Sequence, residues 1–181
     1  MDDLSVNIYR TQSTRLSIWD YGSNGKYFVT ICTDRKVPYF GHIESLNLVP
    51  TEIGDYAKKC WESIPERSPF VELDSFILMP DHLHGILCFG KRDQSDWKPN
   101  QFGPQFQNLA SIIRGFKSAV TSFTKAQSIE FHWQPRYFDR IIRSGKELNQ
   151  IREYIRDNPG KWPNAAMLRR IIPSVSPSFT G

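Results

Sequence analysis

Apolar residues along the first half of the chain follow the patterns of β-strands. Residues 26–33 are rich in β-branched and aromatic side chains and follow two glycines, which predicts a strand in the middle of a sheet. Residues 70–79 and 82–89 have the same character, and the Pro80-Asp81 pair between them is a turn signal. We therefore expect these two segments to form an antiparallel hairpin.

Apolar residues recur at intervals of three and four in three other segments, which is the period of an amphipathic helix. The first segment lies between Thr51 and Pro65, and the second begins at Asn108. The third begins with the sequence Ser144-Gly-Lys-Glu147, which fits a capping box. We expect this third helix to end at Asn158, because the residue before a proline disfavours helical geometry.

The order of these elements predicts the fold class. A further strand is expected at residues 131–143, interrupted by Pro135, so the chain reads strand, helix, hairpin, helix, strand, helix. This order is typical of an α+β domain in which helices cover an antiparallel sheet, as in ferredoxin-like folds. We assign residues 1–25 to an N-terminal arm, residues 26–162 to the domain and residues 163–181 to a C-terminal tail.

Positive charge is concentrated in the last part of the chain. The 181 residues, 39% of them hydrophobic, are enough for one compact domain with its own core. Within a net charge of +4, residues 136–170 hold nine of the 23 Lys and Arg residues but only four of the 19 acidic residues. This basic segment indicates a phosphate-bearing partner, although a solvated basic helix is the common alternative.

The sequence favours a cytoplasmic protein without structural disulfides. Its first residues lack the basic and apolar regions of a signal peptide, and no apolar run approaches the ~18 residues of a membrane span. We therefore expect a cytoplasmic location and no membrane partner. Cys32, Cys60 and Cys88 are odd in number and lack Cys-x-x-Cys spacing, so they predict neither disulfides nor a cysteine zinc site.

Two histidines and one tyrosine carry the candidate chemistry. His82 and His84 are two residues apart in a predicted strand, so both side chains point to one face and can bind a divalent metal ion together. Taken alone, such a pair is more often one core residue and one exposed residue. Tyr154 and Asn158, four residues apart on a helix, would alone be a packing residue and a helix stop. Asp81 is a candidate for orienting an imidazole, although a turn after proline also explains it.

The combination of these residues resembles a known family. The block Met79-Pro-Asp-His-Leu-His-Gly-Ile-Leu87, followed about 70 residues later by Arg152-Glu-Tyr-Ile-Arg-Asp-Asn-Pro-Gly-Lys-Trp162, resembles the His-hydrophobic-His and tyrosine motifs of the single-tyrosine HUH transposases. It is most similar to the branch of the REP-associated tyrosine transposases. The resemblance covers most of the chain and favours the chemical interpretation of the histidines and the tyrosine. It continues through four other blocks, residues 15–21, 27–32, 113–121 and 133–138.

The resemblance implies a metal-dependent, site-specific single-strand DNA endonuclease and strand transferase with the HUH fold. It implies that Mg²⁺ or Mn²⁺ is bound by His82, His84 and a third side chain, which is often Gln in the family and would be Asn158 here. Tyr154 would attack the scissile phosphate, giving a 5′-phosphotyrosine and a free 3′-hydroxyl. The implied substrate is single-stranded DNA with hairpin-forming palindromic repeats, and the implied state is a monomer or a homodimer.

Basic and aromatic residues around these motifs are candidates for DNA contacts. Basic side chains would bind phosphates, and aromatic side chains would stack on unpaired bases. The candidates for stacking are Trp19, Tyr137 and Trp162, although core packing is the more common role of such residues. The candidates for phosphate contacts are Arg15, Arg114, Lys117, Arg136, Arg140, Arg152 and Arg156.

Three other functions share part of this evidence. A domesticated, non-catalytic module on the same fold would bind hairpins with or without EDTA, whereas a transposase requires metal for cleavage. A replication initiator or relaxase shares the tyrosine chemistry, but such proteins usually belong to larger chains with helicase or origin-binding regions. A zinc hydrolase would need a third His, Cys or nearby carboxylate in a recognisable motif, which the sequence lacks.

Overall fold

The described elements follow the predicted order, with a short hairpin added after the first strand and two helices of four residues added after longer helices. The computed structural model describes residues 21–91 and 107–162. In chain order these residues form β1 (Gly25–Cys32), β2 (Gly41–Glu44), β3 (Asn47–Pro50), α1 (Glu52–Glu62), α2 (Ile64–Arg67), β4 (Val71–Met79), β5 (His82–Phe89), α3 (Leu109–Ala126), β6 (Phe138–Ile142), α4 (Gly145–Arg156) and α5 (Asn158–Lys161).

Four strands form one antiparallel sheet in the order β4-β5-β1-β6. Strand β1 pairs with both β5 and β6, so the predicted central strand is confirmed, and β4 and β5 form the predicted hairpin around Pro80 and Asp81. Helix α1 connects β1 to β4, and helix α3 connects β5 to β6. This is the connectivity and strand order of a ferredoxin-like α+β fold, and the predicted fold class is confirmed.

The two faces of the sheet are covered by different helices. On one face, β1 residues such as Tyr27, Val29 and Ile31 share a large core with buried residues of α1 and α3. On the other face, Phe28 of β1 and Ile86 of β5 pack with residues of α4. The alternation of side chains along β1 and β5 therefore assigns each residue to one of two layers.

Gly85 of β5 is required by the packing of Trp61 from α1. A Cβ atom at Gly85 would lie 2.4 Å from Cζ2 of Trp61, which is far inside van der Waals contact. Trp61 is fully buried. The glycine between the second histidine and the rest of β5 thus lets α1 approach the back of the strand that carries the histidine pair.

The structure corrects three boundaries of the predicted elements. The last strand is shorter than residues 131–143: it spans β6 alone, because Pro135 and Arg136 (φ 66°) interrupt the extended backbone. Helix α4 ends at Arg156 rather than Asn158. Asn158 instead begins α5, whose first turn accommodates Pro159 because amides there need no helical acceptor.

Other predicted boundaries differ from the structure or fall outside the residues that it describes. Pro65 does not end the helical region but lies at the start of α2, where proline is tolerated for the same reason. The β2–β3 hairpin is not predicted by the sequence pattern. Most of the N-terminal arm and the C-terminal tail lie outside the described residues.

No helix within residues 21–91 or 107–162 has the length and apolar run that a membrane crossing requires.

Candidate active site

Strand β5 presents two histidines to the sheet face that α4 covers. His82 and His84 point to the same side because side chains alternate along a strand. Their ring centroids are 4.5 Å apart, at an interplanar angle of 67°. His84 is buried, whereas the side chain of His82 keeps 15% of its surface exposed. The two imidazoles therefore lie side by side, one inside the protein and one at its surface.

Each imidazole is held through its Nδ1 atom. Thr30, the cross-strand partner of His84 on β1, shares a hydrogen bond of 2.8 Å between its Oγ1 and His84 Nδ1. His82 Nδ1 contacts the carboxylate of Asp81, which is buried. A hydrogen bond at Nδ1 fixes the orientation of the ring and leaves Nε2 for a ligand or a substrate. These contacts at Nδ1 thus leave the Nε2 atom of each ring outside the two interactions.

Helix α4 brings Tyr154 to the histidine pair. The Tyr154 hydroxyl lies 3.3 Å from His84 Nε2, and the two ring centroids are 5.1 Å apart. The tyrosine ring also packs edge-on against Phe28 of β1, with a centroid distance of 6.2 Å. Tyr154 is nevertheless 42% exposed. The tyrosine ring is therefore positioned by the fold, while part of the residue remains exposed.

The end of α5 forms a second wall of the site. Lys161 Nζ lies 5.1 Å from the centroid of the Tyr154 ring. The ring of Trp162 lies 6.0 Å from the ring of His82, measured between centroids. This wall adds a positive charge beside the phenol and an aromatic surface beside the outer imidazole.

Burial keeps the inner histidine neutral. Desolvation, with smaller contributions from His82 and Lys36, lowers the pKa of His84 to about 3. At neutral pH this imidazole therefore carries a free lone pair on one ring nitrogen. The neutral form is the one that binds a divalent metal ion or accepts a hydrogen bond from a phenol.

The histidine pair and Asn158 carry the kinds of atoms that could bind a divalent metal ion. Asn158 is buried at the start of α5, four residues after Tyr154, and an amide oxygen is a suitable ligand for Mg²⁺ or Mn²⁺. Within the described ranges, no three His, Cys, Asp or Glu side chains are grouped so that they could hold a metal ion. A site built from this part of the chain therefore combines the two imidazoles with an oxygen ligand of another kind.

An ion pair anchors α4 close to the tyrosine. Arg152 donates from Nε and Nη2 to the two carboxylate oxygens of Asp74 on β4, at 2.8 and 2.6 Å. These hydrogen bonds hold the pKa of Asp74 below its usual range. Because a two-point contact between planar groups fixes orientation as well as distance, the pair sets the position of α4 two residues before Tyr154.

Three of the candidate phosphate-binding residues form ion pairs within the chain. Arg15 and Trp19 lie outside the described residues. The three arginines on β6 and α4 have acidic partners on their own chain, so they are not simply free for phosphate: Arg140 pairs with Glu147, Arg152 with Asp74 and Arg156 with Asp157.

Lys117 on α3 holds a neighbouring segment in place. Its ammonium donates to the carbonyl oxygens of Gln134 and Arg136, each at 2.8 Å. Burial lowers the pKa of Lys117 to about 8. These contacts give Lys117 a structural role that the sequence does not indicate. Tyr137 packs against the larger core, which is the alternative role expected for it.

Four residues of the site are missed by the sequence analysis: Thr30, Phe28, Asp74 and Lys161. Thr30 and Phe28 are two residues apart in β1, so their side chains point to the same face of the sheet. Once the register that pairs Thr30 with His84 is known, both residues can be assigned to the site. Asp74 becomes visible only when α4 is placed over β4. Lys161 lies in the tyrosine block itself, where its charge is the one available signal.

Three known proteins are similar in sequence to this chain. An uncharacterized protein of Haemophilus influenzae is 40% identical over 167 residues, covering 87% of this chain and 93% of that protein. A REP-associated tyrosine transposase of Escherichia coli is 25% identical over 118 residues, covering 60% and 61% of the two chains. A second Haemophilus influenzae protein, provisionally given the same name, is 24% identical over 177 residues and covers 90% of each chain. No family profile matches.

A solved structure shares the fold. It is described as a REP-associated tyrosine transposase bound to a REP hairpin. The superposition has a TM-score of 0.58, with 19% identity, and covers 94% of this chain and 92% of that one.

Proposed function

Because the chain belongs to the family of the REP-associated tyrosine transposases, we propose that it is a metal-dependent, site-specific single-strand DNA endonuclease and strand transferase in which Tyr154 is the nucleophile. The substrate proposed is single-stranded DNA with hairpin-forming repeats. A relative of the same fold is described as bound to a REP hairpin, which supports this substrate class.

One observation carries the proposal: the distance of 3.3 Å between the Tyr154 hydroxyl and His84 Nε2. The two residues are 70 positions apart in the chain and meet only because α4 packs across β5 and β1. A tyrosine placed merely for packing has no need of a buried neutral imidazole at its hydroxyl. The arrangement instead supports a phenol prepared for nucleophilic attack.

The proposed reaction exchanges one phosphodiester for another. The Tyr154 oxygen forms a bond to the scissile phosphorus, and the bond from phosphorus to the 3′ oxygen breaks. The phenol loses a proton, and the departing 3′ oxygen gains one, so the products are a 5′-phosphotyrosine and a free 3′-hydroxyl. A second 3′-hydroxyl reverses these steps and joins the strands, because the phosphotyrosine retains the ester bond.

The residues of the site have distinct proposed roles. His82 and His84 would hold Mg²⁺ or Mn²⁺, with Asn158 as the candidate third ligand. When bound, the metal polarises the scissile phosphate and offsets its developing charge. Thr30 and Asp81 orient the two imidazoles, and Lys161 supplies positive charge beside the phenol.

The experiment that tests this proposal traps the covalent intermediate. End-labelled single-stranded DNA from the repeats that flank the gene is incubated with wild type, Tyr154→Phe and Tyr39→Phe, in Mg²⁺, Mn²⁺ or EDTA, and run on a denaturing protein gel. We expect a metal-dependent labelled band from wild type and Tyr39→Phe, and no band from Tyr154→Phe. Adduct that persists in Tyr154→Phe rejects the nucleophile.

The same experiment decides for or against the non-catalytic alternative. A domesticated binding module on this fold binds the hairpin in EDTA and forms no band with any metal. Hairpin binding without adduct, unchanged in His84→Ala, would therefore replace the transposase by a binding module.

A further inference from the structure

Helix α3 differs from the other long helices in its charge. Its eighteen residues include Arg114, Lys117 and Lys125 and no Asp or Glu. Helices α1 and α4 each carry acidic residues among their basic ones. Charges of both signs are typical of a helix that only faces water, so a purely basic helix indicates an anionic partner.

A groove of about 440 Å³ runs along the outer side of α3. Arg114, Lys117, Lys125 and Arg136 line it, and none of the acidic residues within residues 21–91 and 107–162 does. Hydroxyl groups complete its lining: Ser118, Thr121 and Ser122. Cationic and hydroxyl side chains together are the groups that contact phosphate and sugar oxygens of nucleic acids.

Hydrogen bonds between α3 and the segment before β6 hold the groove in shape. The two hydrogen bonds from Lys117 to the carbonyls of Gln134 and Arg136 tie the segment before β6 to α3. Arg136 has a φ of 66°, which a non-glycine residue rarely adopts, so this tie holds the backbone in a particular conformation beside the groove. The indole of Trp133 donates to the Lys117 carbonyl at 3.1 Å and braces the same segment.

The groove lies on the opposite side of the sheet from Tyr154. Buried residues of α3, such as Ile113 and Val120, pack in the core that contains Val29 of β1. Tyr154 packs on Phe28, which points to the other face of the same strand. A partner that occupies the groove therefore does not occupy the candidate active site.

We propose that the α3 groove binds the phosphate backbone of the DNA substrate at a segment away from the scissile phosphate, so that the DNA passes around the β6 edge of the sheet. This inference rests on the proposed DNA substrate and adds a second contact surface to it. Arg114 and Lys125 are eleven residues apart, about 16 Å along a helix. One strand of duplex DNA has a phosphate every 3.4 Å or so of its axis, so the groove matches about five phosphates.

The composition of the groove favours DNA over a membrane surface. Membrane-binding helices place large apolar side chains beside their basic ones. Among the described residues, the large hydrophobic side chains that are exposed are Val37, Leu46, Val49 and Tyr154, and none of them lines this groove.

The test measures how DNA binding depends on salt. The probe is a fluorescein-labelled DNA hairpin with a single-stranded tail, taken from the flanking repeats, and the full chain carries Tyr154→Phe to prevent cleavage. Arg114→Gln combined with Lys125→Gln removes two exposed charges that have no acidic partner within the described ranges. Lys58→Gln combined with Lys59→Gln removes two exposed charges from neighbouring α1, outside the groove lining, as the control.

We expect the groove variant to lower the slope of log K against log salt by about 2 and to weaken binding on the order of tenfold to a hundredfold near 0.1 M salt. The α1 control should keep the slope of its parent. An unchanged slope in the groove variant, or an equal fall in the control, overturns the inference. So does a groove variant that loses binding to phosphatidylglycerol vesicles while its DNA slope stays the same.

A second measurement separates this inference from the proposed chemistry. With Tyr154 restored and DNA at saturating concentration, the groove variant should form the covalent adduct at the wild-type rate, because its site is intact. A rate that falls even at saturation assigns Arg114 and Lys125 to the reaction and overturns a remote contact. If wild type forms no adduct, the proposed nucleophile fails, and the salt slopes still decide the groove.

Discussion

The two faces of the sheet differ in the size of the hydrophobic core that they contribute to. Among the described residues, the face under α1 and α3 contributes to a core of twenty buried hydrophobic residues, whereas the core under α4 has five. The smaller core leaves room for Thr30, His84 and Tyr154 on the same surface. Buried apolar area stabilises a fold in proportion to its size, so we expect stability to reside mainly on the first face and chemistry on the second.

The largest expected effect comes from the centre of the first face. Trp61 is fully buried and packs edge-on against Phe116 at a centroid distance of 5.4 Å. Trp61→Ala should lower the free energy of unfolding by about 3–5 kcal/mol, because it removes a large side chain and leaves a cavity. Urea unfolding followed by circular dichroism measures this loss.

The matched change on the second face should behave differently. Tyr154→Phe keeps the ring that packs on Phe28 and removes one hydroxyl from a residue that is 42% exposed, so its free energy of unfolding should stay within about 0.5 kcal/mol of wild type. A loss as large as that of Trp61→Ala would mean that α4 also carries the stability of the domain, and the comparison of the two faces would fail.

The sequence predicts the first face better than the second. Helical periodicity and strand alternation locate α1, α3, β1, β4 and β5, because the large core imposes its pattern on every element that contacts it. The same alternation predicts that His82 and His84 share a face. Their meeting with Tyr154 depends on how α4 crosses the sheet, which no local pattern contains, and only the family resemblance indicates it.

Other features could not be predicted because the deciding information is tertiary. Thr30 contacts His84 through the register of two strands, and a register is set by the whole sheet. The β2–β3 hairpin turns at Ser45 and Leu46, both with positive φ, and lacks the Gly or Asn that usually signals such a turn. The ion pair of Arg152 with Asp74 likewise depends on which acidic residue the fold brings near α4.

The second-largest expected effect is a pH dependence that belongs to the inner histidine. The pKa of His84 is about 3 in the folded protein and near 6.5 when exposed. The unfolded chain therefore binds the extra proton first as the pH falls, and stability is lost between pH 6.5 and 3. The contribution should be roughly 2–4 kcal/mol across this window.

Unfolding by urea at several pH values, in EDTA, measures this contribution. His84→Gln should show a weaker loss of stability over the same window than wild type, whereas His42→Gln, at an exposed position of β2, should keep the wild-type profile. If His84→Gln and wild type lose stability in parallel, His84 is not the residue that resists protonation, and the second face lacks the buried neutral imidazole on which its chemistry depends.

The smallest expected effect on stability is also the most specific to the site. Thr30→Val keeps the shape of the side chain and removes the hydrogen bond to His84 Nδ1, which holds the ring with Nε2 toward Tyr154. If the pair binds a metal ion as proposed, loss of an orienting partner should weaken Mn²⁺ binding by about 10–100-fold. Calorimetric titration with Mn²⁺ measures the affinity directly, without relying on cleavage.

Thr30→Ser is the control for that change, because it restores the hydroxyl in a smaller side chain. We expect Thr30→Ser to recover most of the Mn²⁺ affinity, and both variants to unfold at urea concentrations close to that of wild type. Equal loss of affinity in the two variants would attribute the effect to packing around β1 rather than to the orientation of His84. If Thr30→Ser keeps the Mn²⁺ affinity and Thr30→Val loses it, the hydroxyl at position 30 is required for its hydrogen bond to His84 on the face that carries Tyr154.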